Sequence, residues 1–473
     1  MKHLSKLSKL SKAVAIGCAL SVLLSGCSGL GGDTVKTIGE SDEIFQFGAF
    51  YTPYNGNVGS TPYGLQPSDN TPENWQNMAY AGITTALPIY DVSESNVLTS
   101  LENAEKAGVK ILVYDHGNPG IHNIIIRGAN STYEEVKTTL DQNSEAIRAR
   151  YDVYTQYESF AGIHATDEPS VEYYDAIAAC QDWWYENYPE YEFYVNLFPS
   201  YASNSQLYGT QDPANWTFRK YVNEFVETVN PSVISYDHYT LLRSGMLGSV
   251  RPQWLSDLEV FANASKQYKV PFRMYILTTQ HWGFIAPEYY REIAWQVYSA
   301  MCYGVKGINF FTYWSYLIPD NNIDNLGTGL VGPCGELTPC WYACREVINE
   351  VKSFESLYMN FDWEGTMTVG SSGSGTFRLL KTPLESLHGI KSVEATQDAL
   401  VGQFKDDEGN YAYMVNNYAL PFDNVSNTVT FEFANCKKVL VCKKGRRVME
   451  EIKNNKLTLE MGSCEGFFVI PIQ

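Results

Sequence analysis

Positive charge is what this 473-residue chain has least of: 34 Lys and Arg stand against 53 Asp and Glu, a formal charge of −19. So acidic a body repels phosphate backbones, which makes nucleic acid a poor partner. Close Cys-x-x-Cys pairs are missing as well. Cys334, Cys340 and Cys344 form the only local cysteine cluster, their spacing is not that of a zinc site, and helical Cys344 is expected to pack rather than ligate. Neither a metal nor an organic cofactor is therefore expected. After residue 24 the chain has no apolar run approaching the ~20 residues a membrane helix wants.

What is present begins with the leader. MKHLSKLSKLSK carries four lysines and no acid and runs into the apolar stretch Ala13 to Leu24, the order of a secretory signal. Leu24-Ser25-Gly26-Cys27 follows at once and resembles the bacterial lipobox, in which the chain is cut before the cysteine and the thiol takes a diacylglycerol. Residues 1–26 are thus expected to be a signal peptide and 27–43 a lipidated tether that holds the chain at a bacterial membrane surface, outside the cytoplasm. Loss of Lys2, Lys6, Lys9 and Lys12 with the leader takes the charge from −19 to −23. Of ten cysteines, Cys18 leaves with the signal and Cys27 carries lipid; the rest lie in a chain too long to need disulfide staples.

From residue 44 short β-branched or aromatic runs alternate with amphipathic helical stretches, the pattern of a parallel sheet. The runs are Ile44–Tyr51, Ile83–Tyr90, Val109–Tyr114, Phe160–Ala165, Glu192–Phe198, Val233–Tyr236, Val270–Leu277 and Gly307–Tyr313. Eight is the number that closes a (β/α)8 barrel, an α/β fold, here placed at 44–360. Ala81-Gly82-Ile83 and Ala107-Gly108-Val109 repeat one device, a helix ended by a left-handed glycine before the next strand. Helices are expected from an N-cap at Ser170 and over Thr217–Val229, Gln253–Tyr268, Pro287–Cys302 and Pro339–Leu357. An open doubly wound sheet would carry a glycine-rich loop after its first strand, and Tyr51-Thr52-Pro53-Tyr54 is not one. Beyond Gly370–Gly375, a turn or linker, short alternating segments (Tyr411–Val415, Thr428–Phe433, Lys438–Cys442, Gly466–Ile470) predict an antiparallel β-sandwich over 361–473, packed on the barrel.

Barrel chemistry sits where the strands end. There fall Asp91; Asp115 and His116; Asp167 and Glu168; Asp237, His238 and Tyr239; Gln280, His281 and Trp282; and Trp314, with His164 and Asn196 within their strands. Asp115 has an alternative reading as a helix cap and Asp91 as a solvated loop residue; Asn196 and Tyr239 read equally as donors to hydroxyls or as polar lining. Carboxylates beside aromatic faces suit sugars: glycosidic cleavage needs an acid for the leaving oxygen and a second group for the oxocarbenium charge, and aromatic faces stack on pyranose rings. A carbohydrate is the expected partner.

Gly162-Ile163-His164-Ala165-Thr166-Asp167-Glu168-Pro169 resembles the Asn-Glu-Pro signature of clan A glycoside hydrolases, with Asp for Asn. Gly307 to Trp314 (GINFFTYW) resembles their eighth strand, with its tryptophan under the sugar. Barrel followed by β-sandwich is similar to family 42 β-galactosidases and their relatives. The resemblance implies Glu168 as general acid, Asp167 holding a substrate hydroxyl or orienting Glu168, and a nucleophilic glutamate ending the seventh strand. That strand instead ends in Gln280, which cannot serve. Three alternatives stand. Asp237 could be the second carboxylate, a nucleophile at about 5 Å from Glu168 or a base for water at about 6.5–9.5 Å. Asp167 and Glu168 could act as a pair on an N-acetylated sugar, with substrate assistance. Or the barrel binds a glycan without cleaving it. Asp115, His116, His164, Asn196, His238, Tyr239, Gln280, His281, Trp282 and Trp314 are the candidate substrate contacts.

Overall fold

The computed structural model describes residues 39–53, 70–87, 94–114, 116–244, 247–281, 283–315, 329–332 and 335–472, all within one compact unit. Cys27, with the expected signal peptide and most of the expected tether, lies outside the described residues, as do Asp91, Asp115, Trp282 and Cys334.

Eight strands are found where eight apolar runs were read: β1 Gln46–Phe50, β2 Thr85–Leu87, β3 Lys110–Val113, β4 Phe160–Asp167, β5 Glu192–Leu197, β6 Ile234–Asp237, β7 Phe272–Leu277 and β8 Gly307–Phe311. Each pairs in parallel with its neighbours, and β1 pairs with β8 as well as β2, so the sheet is a closed barrel. Such strands are apolar on both sides because one side meets the helices and the other the barrel interior. Alternate residues fill that interior: Phe50, Leu87, Leu112, Tyr194, Val233 and Tyr275 form one buried cluster. Near the starts of β5 and β7 it is closed by a 2.7 Å ion pair between Arg273 and Glu192.

The helix Pro72–Ala81 starts at Thr71, whose side chain accepts from the Asn74 N–H, and stops at Gly82 with φ +91°. Gly108 stops the helix Glu94–Ala107 with φ +72°. Three helices differ from expectation. Ser170 makes no capping bond to the backbone and precedes a 3-10 turn, Val171–Tyr173, before the helix Tyr174–Asn187. The helix expected from Pro287 begins at Tyr290, and that from Pro339 breaks at Lys352 before a short second one, Glu355–Met359. A hairpin, Leu241–Ser244 with Leu247–Val250, follows β6 unannounced by any clean alternation in the sequence.

The C-terminal part is two antiparallel sheets. Its strands are β9 Asp362–Val369, β10 Ile390–Ala395, β11 Ala399–Lys405, β12 Tyr411–Asn417, β13 Asn427–Phe433, β14 Lys438–Lys443, β15 Arg446–Glu451, β16 Lys456–Met461 and β17 Gly466–Ile472. Six form one sheet in the order β9-β11-β12-β17-β14-β15, and β10-β13-β16 form the other. Alternation on β11 shows how the halves join. Val401 packs between the two sheets, while Leu400 and Phe404 join the core of the barrel. A side chain at Gly402 would stand 2.2 Å from the Cys302 carbonyl oxygen, so glycine permits the close approach. The glycine-serine run at 370–375, expected as a turn or linker, is a loop between β9 and the 3-10 turn Thr376–Leu379.

Candidate active site

Strand β4 does not end as a regular strand. Its register against β5 slips between His164 and Thr166, and Glu168 takes φ +48°, a left-handed conformation that few non-glycine residues adopt. On an unbroken strand Asp167 and Glu168 would point to opposite faces. The turn at Glu168, whose N–H donates to the Asn196 carbonyl at 2.8 Å, is how adjacent residues bring both carboxyls to one place. On β5 and β6 regular alternation suffices: Asn196 follows Tyr194 by two positions, and Asp237 follows Ser235 by two, all turned inward.

Asn196 is the hub of the cluster. Its Nδ2 donates to Oδ1 of Asp167 and to Oδ1 of Asp237, each at 3.2 Å, and its Oδ1 accepts from Ser235 Oγ at 3.0 Å. Asp237 is only 3% exposed, and its carboxyl lies beside that of Glu168, near enough for its charge to act on it. Asp167 keeps 32% of its side chain open to the mouth. Burial pushes all three carboxyls above their ordinary range, Glu168 furthest, because the charges of Asp237 and then Asp167 add to the effect of burial. Two carboxyls in contact need a proton between them. Burial first, and then the charge of Asp237, make Glu168 the carboxyl that keeps its proton to the highest pH, so of the two it is the proton holder.

Of the other candidates, the structure brings some to the mouth and removes others. Tyr239 is half-buried there, stacked on Phe311 with ring centroids 4.8 Å apart. His281 stands edge-on to both, its Nδ1 3.2 Å from the Thr279 carbonyl, and burial lowers its pKa to about 4, so it is neutral at physiological pH. Gln280 is half-buried beside it, and His116 is exposed, edge-on to Tyr114 and His122. His164 belongs to the barrel interior, 1% exposed, with Nε2 4.0 Å from Asp167 Oδ1 and its pKa lowered by burial to about 3.

Two further residues expected to touch substrate are, like His164, walled off from solvent. His238 is fully buried, its Nδ1 3.0 Å from Asp257 Oδ2, between the rings of Tyr201 and Trp254; the carboxylate that claims it comes from the following helix, Trp254–Tyr268. Trp314 is 2% exposed because β8 ends at Phe311, three residues earlier. The half-exposed aromatic face at that strand end is Phe311, flanked by Tyr51 and Tyr239. Alternation from Asn309 would have found it. Among the described residues no group of three or more His, Cys, Asp or Glu side chains could hold a metal ion, and Cys340 and Cys344 lie buried on one helix.

No family model matches the chain, and no curated protein matches it. Its backbone course is similar to those of several solved structures. A family 39 glycoside hydrolase from the gut symbiont Bacteroides cellulosilyticus is 12% identical, with 90% of this chain and 81% of that one covered and a TM-score of 0.45. A GH51 arabinofuranosidase from Xanthomonas axonopodis pv. citri is 10% identical, with 92% and 97% covered and a TM-score of 0.47. A family 5 glycoside hydrolase from Bacteroides vulgatus is 9% identical, with 91% and 89% covered and a TM-score of 0.49.

Proposed function

We propose that the chain is a glycoside hydrolase acting on O-glycosidic bonds of extracellular oligo- or polysaccharides, with Glu168 as the general acid. One observation carries this reading. Glu168 is kept protonated by burial and by the charge of Asp237 beside it, at the mouth of the barrel and next to an aromatic wall of Phe311 and Tyr239. A carboxylic acid that holds its proton at neutral pH can pass it to the glycosidic oxygen as the C1–O bond breaks and its electrons leave with that oxygen. Water then adds to C1. Phe311 supplies the stacking face that Trp314 was expected to supply.

The same contact favours the substrate-assisted form of the reaction. Asp237 is buried and engaged by Asn196 and Glu168, which suits it to hold the acid rather than to attack the sugar. Asp167, partly open to the mouth, is free to accept the N–H of a 2-acetamido group, whose carbonyl oxygen then attacks C1 as Glu168 protonates the leaving oxygen. We propose in addition that lipid on Cys27 holds the chain at the membrane surface, where products are released beside the cell.

The test is a panel of chromogenic hexosides and N-acetylhexosaminides with wild type and Glu168→Gln. Turnover of an N-acetylhexosaminide that falls about 10²- to 10⁴-fold in the variant supports the reading. Equal rates in the two proteins would remove Glu168 as the acid, and no turnover of any glycoside by wild type would favour a glycan binder. Equal efficiency on plain hexosides would reject substrate assistance alone.

A further inference from the structure

Beneath the carboxyls runs a chain of polar side chains that the proposed reaction does not use directly. Asn309 Nδ2 donates to the Tyr194 hydroxyl at 2.9 Å, Tyr194 OH lies 2.5 Å from Ser235 Oγ, and Ser235 Oγ donates to Asn196 Oδ1 at 3.0 Å. All four residues are buried, and they come from three strands, β5, β6 and β8.

The direction of every bond follows from its upper end. Once Asp167 and Asp237 are ionised they only accept, so the two N–H groups of Asn196 then face them and its oxygen faces Ser235, the arrangement the distances show. Ser235 has one hydroxyl proton and spends it on that oxygen. It can therefore only accept from Tyr194, and Tyr194, having donated, accepts from Asn309. Reversing the chain would aim the Asn196 carbonyl at the two aspartates, which only protonated carboxyls tolerate.

The lower end has its own accommodation. Asn309 lies opposite Gly48 of β1 in register, and a Cβ at Gly48 would stand 2.0 Å from Asn309 Oδ1. The glycine in the middle of β1 leaves the space that Asn309 occupies.

We infer that Asn309, Tyr194 and Ser235 are positioning residues: a one-way hydrogen-bond relay that fixes the amide of Asn196 so that it holds Asp167 and Asp237 as acceptors and leaves the proton on Glu168. The catalytic consequence rests on the proposed hydrolytic function; the relay itself does not. Other titratable groups that interact with the three carboxyls are His164 on β4, Tyr114 after β3, Tyr201 after β5, Tyr221 on the helix Phe218–Val229, Tyr236 on β6, Tyr239 after β6 and Tyr275 on β7. None of them is substituted in the variants below; Tyr275 interacts with the Tyr194 hydroxyl, so Ser235→Ala, which keeps that pair, is the primary reading.

The experiment compares wild type with Ser235→Ala, Ser235→Thr, Tyr194→Phe and Gly48→Ala, none of which alters a carboxyl. Side-chain carboxyl titrations followed by NMR on the full chain without substrate read the relay directly. In Ser235→Ala the titrations of Asp237 and Asp167 are expected to move up by about one pH unit, the size of one charge-assisted hydrogen bond. Smaller upward shifts are expected in Tyr194→Phe and Gly48→Ala, and a near wild-type titration in Ser235→Thr, which keeps the hydroxyl. On a cleaved glycoside Ser235→Ala should lower kcat about tenfold with little change in KM, and its pH profile should shift with the titration. A Ser235→Ala protein whose melting temperature falls while its carboxyl titrations stay at the wild-type positions overturns the relay. Titrations that shift as expected in a protein that cleaves nothing keep the relay and reject the hydrolase.

Discussion

Replacing Glu168 by glutamine should make the folded chain more stable, and only above acid pH. Glu168 has its pKa raised above the ordinary 4.5 by burial and by the charges of Asp237 and Asp167. Below that value the folded and unfolded chains both hold the proton, and the cluster costs nothing. As pH rises past it, the unfolded chain releases a proton that the folded chain keeps, and stability falls until the folded group ionises too. At about pH 8 that interval is about 3.5 pH units above 4.5, an upper bound of about 5 kcal/mol; the opening of the mouth to water reduces the cost to about 2 kcal/mol. Glutamine keeps the donor to Asp237 and has no proton to lose. In a chain of this size the gain corresponds to about 2–4 °C in melting temperature. Thermal unfolding of both proteins at about pH 4 and about pH 8 measures it. An equal difference at the two pH values, or a variant less stable than wild type at the higher one, would refute the contact between the carboxyls.

Other substitutions separate binding from packing. Phe311→Ala should raise KM about tenfold on a cleaved glycoside with a small change in melting temperature, whereas Trp314→Ala should cost about 3–5 kcal/mol of stability measured by denaturant unfolding. His238→Ala leaves the buried carboxylate of Asp257 with only the Ser200 N–H and should destabilise the chain by about 3 kcal/mol, seen in the same unfolding assay, without shifting the pH profile of any activity. Cys27→Ser should move the protein from the membrane fraction to the soluble fraction of cells that export it, and mass spectrometry of the wild-type N-terminus should find the lipid.

The barrel was legible because its signals are local and repeated. Each parallel strand is a short apolar run, and Gly82 and Gly108 mark where helices give way to strands. The meeting of Asp167, Glu168, Asn196 and Asp237 was legible for the same reason, since all lie at or near strand ends that a barrel brings to one mouth. What escaped depends on contacts between distant parts of the chain. Nothing near His238 announces that Asp257 will enclose it. The slip in β4 and the left-handed turn at Glu168, which set how closely the carboxyls approach, leave no pattern in GIHATDEP. Trp314 and Phe311 differ only in whether β8 runs on for three more residues, and strand ends are the least sharply encoded part of an element.

The most direct measurement uses one sugar with two leaving groups, a poor one such as an alkyl alcohol and an activated one such as dinitrophenol, cleaved by wild type and by Glu168→Gln. If Glu168 donates the proton, the variant should lose about 10³-fold on the poor leaving group and little on the activated one, which departs without protonation. An equal loss on both, or none on either, contradicts that role.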